Sequence, residues 1–296
     1  MPVSGHASKR QRGAAMTSSP ALVILYPERP DGDDFIERQV LGRSAEIRLR
    51  DVQALADLSE ADRAGVTHLV VHALAAGAAD IALFPDLCVV LRSGPARVAP
   101  IIEIRDISGH AIAERADQAL ALALALHRGL FGGIAPRRSA SLTFGVLGLG
   151  PVGLAVALRA KAFGFRVVFH DLDAVPGIEN GLGLARAASL QALLLKADIL
   201  SLHTPDLPGL IGLAELAILP HGAIVVDTTG HATLDHAALA SLLADGQIAA
   251  AGLDLPPDMP APAGNVLVTR DTTHSPDALA DLRRMIAEAA ALDFNT

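Results

Sequence analysis

One short glycine pattern constrains the fold of this chain more than any other feature. Residues 148–153 have the sequence Gly-Leu-Gly-Pro-Val-Gly, after an apolar strand-like run and at the start of a helix-forming stretch. A G-x-G-x-x-G pattern in this setting is typical of a dinucleotide-binding turn, because its glycines permit a tight turn, close approach of the pyrophosphate and close helix packing. The residues that we expect to contact the dinucleotide here are Gly148, Gly150, Pro151, Val152 and Gly153.

An acidic residue stands where such a turn needs one. The next predicted strand ends at Asp171, which comes 18 residues after Gly153. A carboxylate at this place binds the ribose hydroxyls and repels a 2′-phosphate, and no arginine follows in Asp171-Leu172-Asp173. We therefore expect NAD rather than NADP as the cofactor. A glycine turn without a ligand is the alternative, and it leaves the glycine spacing and Asp171 unexplained.

The rest of the chain alternates β-rich apolar runs with helical periods, which predicts an α/β protein with parallel sheets. We expect a doubly wound Rossmann domain over residues 111–271. A smaller, flavodoxin-like domain of the substrate type is predicted over residues 21–110 together with 272–296. Residues 1–20 are polar and basic and are predicted to form a disordered tail. The functional cleft is expected between the two domains.

Composition narrows the range of partners. A net charge of −8 and an aromatic content of 3% argue against nucleic acid. The longest apolar run, residues 119–126, is too short to span a bilayer, so no membrane association is expected. The single cysteine, Cys88, excludes a disulfide framework, suits a cytoplasmic location and is interpreted as a buried core residue. No metal site is predicted, since His68 and His72 lack a third ligand.

Several further motifs of the chain follow the order found in one enzyme family. They are ADILSLHTP at 197–205, IGLAELAIL at 211–219, DTT at 227–229, LD at 234–235 and AGLD at 251–254, with SGH at 108–110 and AER at 113–115. Together with the glycine pattern, they make residues 86–275 resemble the D-isomer-specific 2-hydroxyacid dehydrogenases. The resemblance implies hydride transfer between NAD and C2 of a small substrate, with further cofactor contacts from Thr204, Pro205, Thr228 and Asp254.

The resemblance fails at the three positions that carry the family's chemistry. It implies an arginine for the substrate carboxylate, a glutamate, and a histidine that the glutamate orients for proton transfer. The corresponding residues here are Gly230, Met259 and Asp271. Pro95 also removes a backbone donor from the substrate loop. The segment before Leu142 lacks much of the family's dimerisation arm, so a homodimer is possible but open.

Two hypotheses about function remain. In the first, a displaced set of side chains catalyses related chemistry, and the protein is an NAD-dependent oxidoreductase acting on a small 2-hydroxy or 2-keto acid. That set would be His231, Asp258, Arg270 and His274, which adjoin the lost positions or follow them closely. In the second, the protein is an NAD-binding pseudoenzyme that acts as a regulatory or binding module, because losing cooperating catalytic groups costs orders of magnitude in rate.

Overall fold

The computed structural model describes residues 22–29, 32–43, 45–94, 96–107, 109–131, 134–205, 207–229, 233–256, 258–270 and 275–293. The chain divides into two compact units. Unit 1 takes the described residues up to Ile107 and those from Arg284 onward, and unit 2 takes those between them. The chain returns to unit 1 at Arg284, later than the predicted boundary at residue 272. The predicted tail at residues 1–20 lies outside the described residues.

Unit 1 is built on a five-stranded parallel sheet with the order β2-β1-β3-β4-β5. Its strands are β1 (Val23–Tyr26), β2 (Glu46–Leu49), β3 (His68–Val71), β4 (Val89–Arg92) and β5 (Glu103–Asp106). Its first helices are α1 (Phe35–Leu41), α2 (Glu60–Arg63) and α3 (Ala78–Ile81). This strand order is that of the flavodoxin-like folds, as predicted.

The core of unit 1 follows its central strands. All four residues of β1 and of β3 are buried, whereas the edge strands β2 and β5 are largely half-buried or exposed. The prediction that Cys88 is a core residue is wrong, because its side chain is exposed. Cys88 comes just before β4, because the apolar run that suggested burial begins at Leu87, two residues ahead of the strand.

Unit 2 is built on a seven-stranded parallel sheet with the order β12-β11-β10-β9-β6-β7-β8. Its strands are β6 (Thr143–Leu147), β7 (Arg166–His170), β8 (Ala185–Arg186), β9 (Ile199–Leu202), β10 (Ala223–Asp227), β11 (Ile248–Leu255) and β12 (Val266–Arg270). Its helices are α4 (Ile112–His127), α5 (Pro151–Ala162), α6 (Ile178–Leu182), α7 (Leu190–Leu194), α8 (Leu213–Ile218) and α9 (His236–Ala244). The strand order reverses between β6 and β9, which confirms the predicted Rossmann fold.

Helices cover both faces of this sheet. Phe144 and Val146 of β6 join the hydrophobic cluster that includes α4 and α5. Leu147, on the opposite face, joins the cluster that includes α7, α8 and α9. A last helix, α10 (Pro276–Ala291), begins in unit 2 and ends in unit 1. Within the described part of the chain, no helix combines the length and the apolar character that crossing a bilayer requires.

Candidate functional site

The glycine turn lies between β6 and α5, at the point where the strand order reverses. Gly148 has a φ of +89°, and a Cβ at this position would lie 2.6 Å from the carbonyl oxygen of His203. A Cβ at Gly153 would overlap the carbonyl oxygen of Gly148. The fold itself therefore requires glycine at both of these positions.

Gly150 is different, because nothing in the described part of the chain requires its glycine. It is the N-cap residue of α5, with an ordinary φ of −63°. A Cβ at this position would have no heavy atom of the described structure within 4 Å. The first turn of α5 has Pro151 at its start and no acidic residue. Open space beside a helix N-terminus is what a bound pyrophosphate needs, and Val152 is half-buried in the same turn.

Asp171 follows β7 and faces the glycine turn. Its Oδ2 accepts a hydrogen bond from the backbone N–H of Leu149 at 2.5 Å. Its Oδ1 accepts hydrogen bonds from the N–H groups of Asp173 at 2.7 Å and Ala174 at 3.0 Å. Three backbone donors thus hold the carboxylate beside the turn, at the carboxyl end of the strand where a ribose-binding acid is expected.

A cation that the sequence analysis missed lies near this carboxylate. The guanidinium of Arg186, on β8, donates to the carbonyl oxygens of Ala174 at 3.0 Å and Val175 at 2.9 Å. It also forms an ion pair with Glu179 at 3.2 Å and stacks 5.2 Å from the ring centroid of Phe169. Its charge is therefore already compensated within the described structure.

Two buried hydroxyl groups follow the neighbouring strands. Thr204 comes after β9 and Thr228 after β10, and each Oγ1 is buried with no hydrogen-bond partner among the described residues. An unsatisfied buried hydroxyl costs about 1–3 kcal/mol, so both atoms suit contact with a polar ligand. Pro205 is exposed next to Thr204. These observations, together with the open space at Gly150, fit a bound dinucleotide.

Asp254, near the end of β11, is buried and held by a short relay. Its Oδ1 accepts a hydrogen bond from Thr269 Oγ1 at 2.7 Å, and that oxygen accepts one from Gln118 Nε2 at 3.0 Å. Asp254 therefore has a fixed orientation. The strands β11, β10, β9, β6 and β7 are neighbours in one parallel sheet. The residues predicted to contact the cofactor consequently share its carboxyl edge.

The imidazole of His203 lies beside the glycine turn but adds no charge to it. Ser201 Oγ and His203 Nε2 are 2.8 Å apart and hydrogen-bonded. Burial lowers the pKa of His203 to about 3. The ring is neutral at physiological pH, and its hydrogen bond to Ser201 gives it a structural role directly after β9.

The described residues include two members of the predicted catalytic set. Asp258 is exposed in the turn after β11. Arg270 ends β12, and its Nη1 donates to the carbonyl oxygens of Pro256 at 2.9 Å and Met259 at 2.6 Å. Met259 packs against the hydrophobic cluster of unit 2. The other two members, His231 and His274, lie outside the described residues, as do Gly230 and Asp271, so the catalytic assignment stays a prediction.

Comparisons with known proteins agree with this geometry. Residues 125–276 match the model of the D-isomer specific 2-hydroxyacid dehydrogenase NAD binding domain. The glyoxylate reductase of Aeropyrum pernix is 43% identical over 116 residues, 38% of this chain and 34% of that protein. The glyoxylate reductase of Korarchaeum cryptofilum is 34% identical over 156 residues, 50% of this chain and 47% of that protein. The matches thus span about a third to a half of these curated relatives.

The fold is shared over a greater length. A D-isomer specific 2-hydroxyacid dehydrogenase from Lactobacillus delbrueckii ssp. bulgaricus, solved in an NAD-complexed form, superposes with a TM-score of 0.76 at 18% identity. The superposition covers 92% of this chain and 97% of that one. The matched segment is thus an NAD binding domain, as the glycine pattern predicts. Because the family model accounts for more than half of the chain, the protein belongs to the D-isomer specific 2-hydroxyacid dehydrogenase family.

Proposed function

We propose that the protein is an NAD-dependent oxidoreductase acting on a small 2-hydroxy or 2-keto acid. The observation that carries this proposal is Gly150. Neither the backbone conformation nor the packing of the described residues requires glycine there, whereas a pyrophosphate that approaches the start of α5 does. When bound, NAD supplies the group that accepts or delivers the hydride.

Cofactor selection is assigned to Asp171. Three backbone N–H groups fix its carboxylate, and its negative charge opposes a 2′-phosphate. Arg186 would be the natural partner of such a phosphate, but Glu179 already compensates its charge, and its Nε and Nη2 groups already donate to Glu179 and two carbonyl oxygens. Both features favour NAD over NADP. The hydroxyls of Thr204 and Thr228 provide further polar contacts along the same edge.

On the substrate side, we propose that Arg270 holds the carboxylate of the acid. Its two recorded bonds both use Nη1, which leaves Nε and Nη2 available as donors within the described structure. The three remaining N–H groups of a guanidinium suit a carboxylate. His231, His274 and Asp258 remain the proposed groups for proton transfer, in place of the family's histidine and glutamate.

The second candidate function is an NAD-binding module without turnover. The observation that favours it is Met259, whose half-buried apolar side chain packs against the hydrophobic cluster of unit 2 at the position where the family places its glutamate. A histidine that takes or gives a proton during hydride transfer needs a group to fix its tautomer. Such a module would respond to the cofactor by binding alone.

We further propose that the protein forms a homodimer in the cytoplasm. Leu130 and Phe131, after α4, and Phe163, after α5, are 73%, 63% and 56% exposed. Large exposed apolar side chains at neighbouring helix ends are typical of a subunit interface. A single cysteine suits a reducing compartment. Light scattering coupled to size-exclusion chromatography tests the dimer, and a monomer mass at micromolar concentration would contradict it.

The test of cofactor binding is calorimetric titration of the wild-type protein with NADH and with NADPH. We expect tighter binding of NADH. Gly150→Ala is expected to weaken NADH binding about tenfold or more while leaving the melting temperature unchanged. Gly181→Ala is the matched control, because a Cβ at Gly181 also meets nothing within 4 Å but lies in α6. Equal NADH affinity in wild-type protein and Gly150→Ala would refute the assigned site.

The test of turnover uses the same preparation. NADH oxidation is measured against a panel of 2-keto acids, with wild-type protein and with His231→Ala, His274→Ala and Arg270→Lys. A lower rate of NADH oxidation in these variants would support the displaced catalytic set. An unchanged rate in all three would refute it. NADH binding without oxidation of any substrate would favour the binding module.

A further inference from the structure

A pocket of about 710 Å³ lies at the edge of the unit 2 sheet opposite the glycine turn. Its residues come from the amino ends of β6, β7 and β8, from the end of α5 and the segment between α5 and β7, and from the segments that precede β8 and β9. Thr143 and Arg166 are the first residues of β6 and β7, while the dinucleotide turn follows the last residue of β6. A five-residue strand is about 16 Å long, so the pocket is separate from the proposed NAD site.

Three cations line this pocket in a chain whose net charge is −8. They are Lys161, Arg166 and Lys196, and no ion pair joins any of them to a carboxylate of the described residues. Lys161 Nζ donates to the carbonyl oxygen of Leu182 at 2.6 Å, and Arg166 Nη2 donates to that of Ser141 at 3.4 Å. Both bonds hold the side chains without neutralising them.

The acidic residue of the pocket is already compensated. Asp198 Oδ1 forms an ion pair with Arg137 Nη2 at 3.0 Å. Asp198 Oδ2 accepts a hydrogen bond from the backbone N–H of Thr143 at 2.8 Å. Three positive side chains therefore act on the pocket without an opposing free carboxylate among its lining residues, and a bound anion would be attracted to them.

The remaining wall is apolar. Phe165, Val167, Val168 and Leu184 line the pocket beside the three cations. Gly183 leaves the space that Lys161 uses, since a Cβ there would lie 2.7 Å from Lys161 Nζ. The volume exceeds what an inorganic anion fills, so the apolar wall suits an organic part joined to the anionic group.

We propose that this pocket is a second binding site, which takes a phosphorylated small organic molecule. Its phosphate lies among Lys161, Arg166 and Lys196, and its organic part packs on Phe165 and Leu184. The site does not depend on the function proposed for the carboxyl edge of the sheet, and a ligand there can be present together with the dinucleotide.

The experiment is a calorimetric titration with phenyl phosphate and, separately, with inorganic phosphate. Gly150→Glu is titrated alongside the wild-type protein, because a carboxylate in the dinucleotide turn repels anions from that site. We expect saturable one-to-one binding that survives in Gly150→Glu, with phenyl phosphate binding more tightly than phosphate. Binding lost in Gly150→Glu would assign the anion to the dinucleotide turn and overturn the proposal, as would equal affinity for the two probes.

Three charge reversals complete the test. Arg166→Glu and Lys196→Glu are each expected to weaken phenyl phosphate binding about tenfold or more, because each removes a charged donor and adds repulsion. Arg43→Glu, on an exposed residue of unit 1, makes the same change in net charge and should leave binding unchanged. Lys196 is exposed between α7 and β9, so its replacement leaves the fold intact. Equal binding in all three variants, or no saturation in the wild-type protein, would overturn the proposed site.

Discussion

Two glycines of the turn between β6 and α5 have different roles in this protein, and single substitutions should distinguish these roles. We expect Gly153→Ala to lower the free energy of unfolding by about 1–3 kcal/mol, because the new Cβ overlaps the carbonyl oxygen of Gly148 and the backbone must shift. Urea denaturation measures this loss. Gly150→Ala serves as the control, because its new Cβ has open space around it, and it should unfold like wild-type. A Gly153→Ala protein of unchanged stability would contradict the packing role.

The imidazole of His203 makes stability depend on pH. Its pKa is about 3 in the folded protein, whereas an unperturbed histidine titrates near pH 6.5. Below about pH 6.5 the unfolded chain binds a proton that the folded chain refuses, so this group lowers stability as the pH falls from about 6.5 toward 3. At pH 5 the loss is about 2 kcal/mol.

The measurement compares urea unfolding at pH 7.5 and pH 5 for wild-type and His203→Gln. The glutamine does not titrate and retains an amide for Ser201, so His203→Gln should lose about 2 kcal/mol less than wild-type on acidification. His221→Gln is the control on an exposed histidine and should follow wild-type. An identical pH dependence in wild-type and His203→Gln would show that the imidazole titrates normally.

At the scale of single elements, the stability of α9 depends on its N-cap residue. Asp235 is the N-cap, and its Oδ1 accepts hydrogen bonds from the N–H groups of Ala237 at 2.9 Å and Ala238 at 3.0 Å. Asp235→Ala should cost about 1 kcal/mol of stability in urea unfolding. Asp245→Ala, at the C-cap of the same helix, removes a negative charge from the C-terminal end, where such a charge is unfavourable. This substitution should be neutral or slightly stabilising. Equal losses from both would refute the capping role.

The elements also show how far the sequence alone can predict this fold. The central strands β1, β3, β4 and β6 were predictable because burial makes them continuous apolar runs. β5 could not be predicted in this way, since it pairs with a neighbour on one side only and contains three charged residues and a single isoleucine. β8 could not be predicted either, because a strand of two residues has no periodic pattern.

In the candidate site too, features set by local sequence were predictable and features set by strand pairing were not. The glycine turn and Asp171 could be predicted because local conformation and spacing determine them. The position of Arg186 beside the Asp171 turn could not, since it depends on β8 pairing with β7 and on contacts with Ala174 and Val175. The carbonyl contacts of Arg270 depend in the same way on the pairing of β12 with β11.

At the scale of the whole molecule, unit 1 contains two distant parts of the chain. Arg105, on β5, donates to both carboxylate oxygens of Asp293, at 2.8 and 2.7 Å, and to the carbonyl oxygen of Ala289 at 3.0 Å. His68 Nε2 lies 2.9 Å from the same carboxylate. The guanidinium of Arg105 holds the pKa of Asp293 below its usual range. One carboxylate thus joins the end of the chain's last helix to β3 and β5.

Asp293→Asn should loosen this connection, because an amide cannot accept both charged hydrogen bonds. We expect a loss of about 1–2 kcal/mol confined to unit 1. Hydrogen exchange followed by mass spectrometry should show faster exchange in β5 and the last turns of α10, and unchanged exchange in β6 and β9. Glu288→Gln, on an exposed residue of α10, is the control. Faster exchange throughout unit 2 as well would refute a local role for Asp293.

Unit 1 is built from two separate segments of the chain, and this affects the order in which the protein folds during synthesis. The strands of unit 1 leave the ribosome first, yet the segment from Arg284 onward and the carboxylate of Asp293 emerge only after all of unit 2. The Rossmann sheet consists of one uninterrupted stretch of chain and can fold as soon as it has emerged. We therefore expect the nucleotide-binding half of the growing chain to fold before unit 1 is completed, although the strands of unit 1 are translated before it.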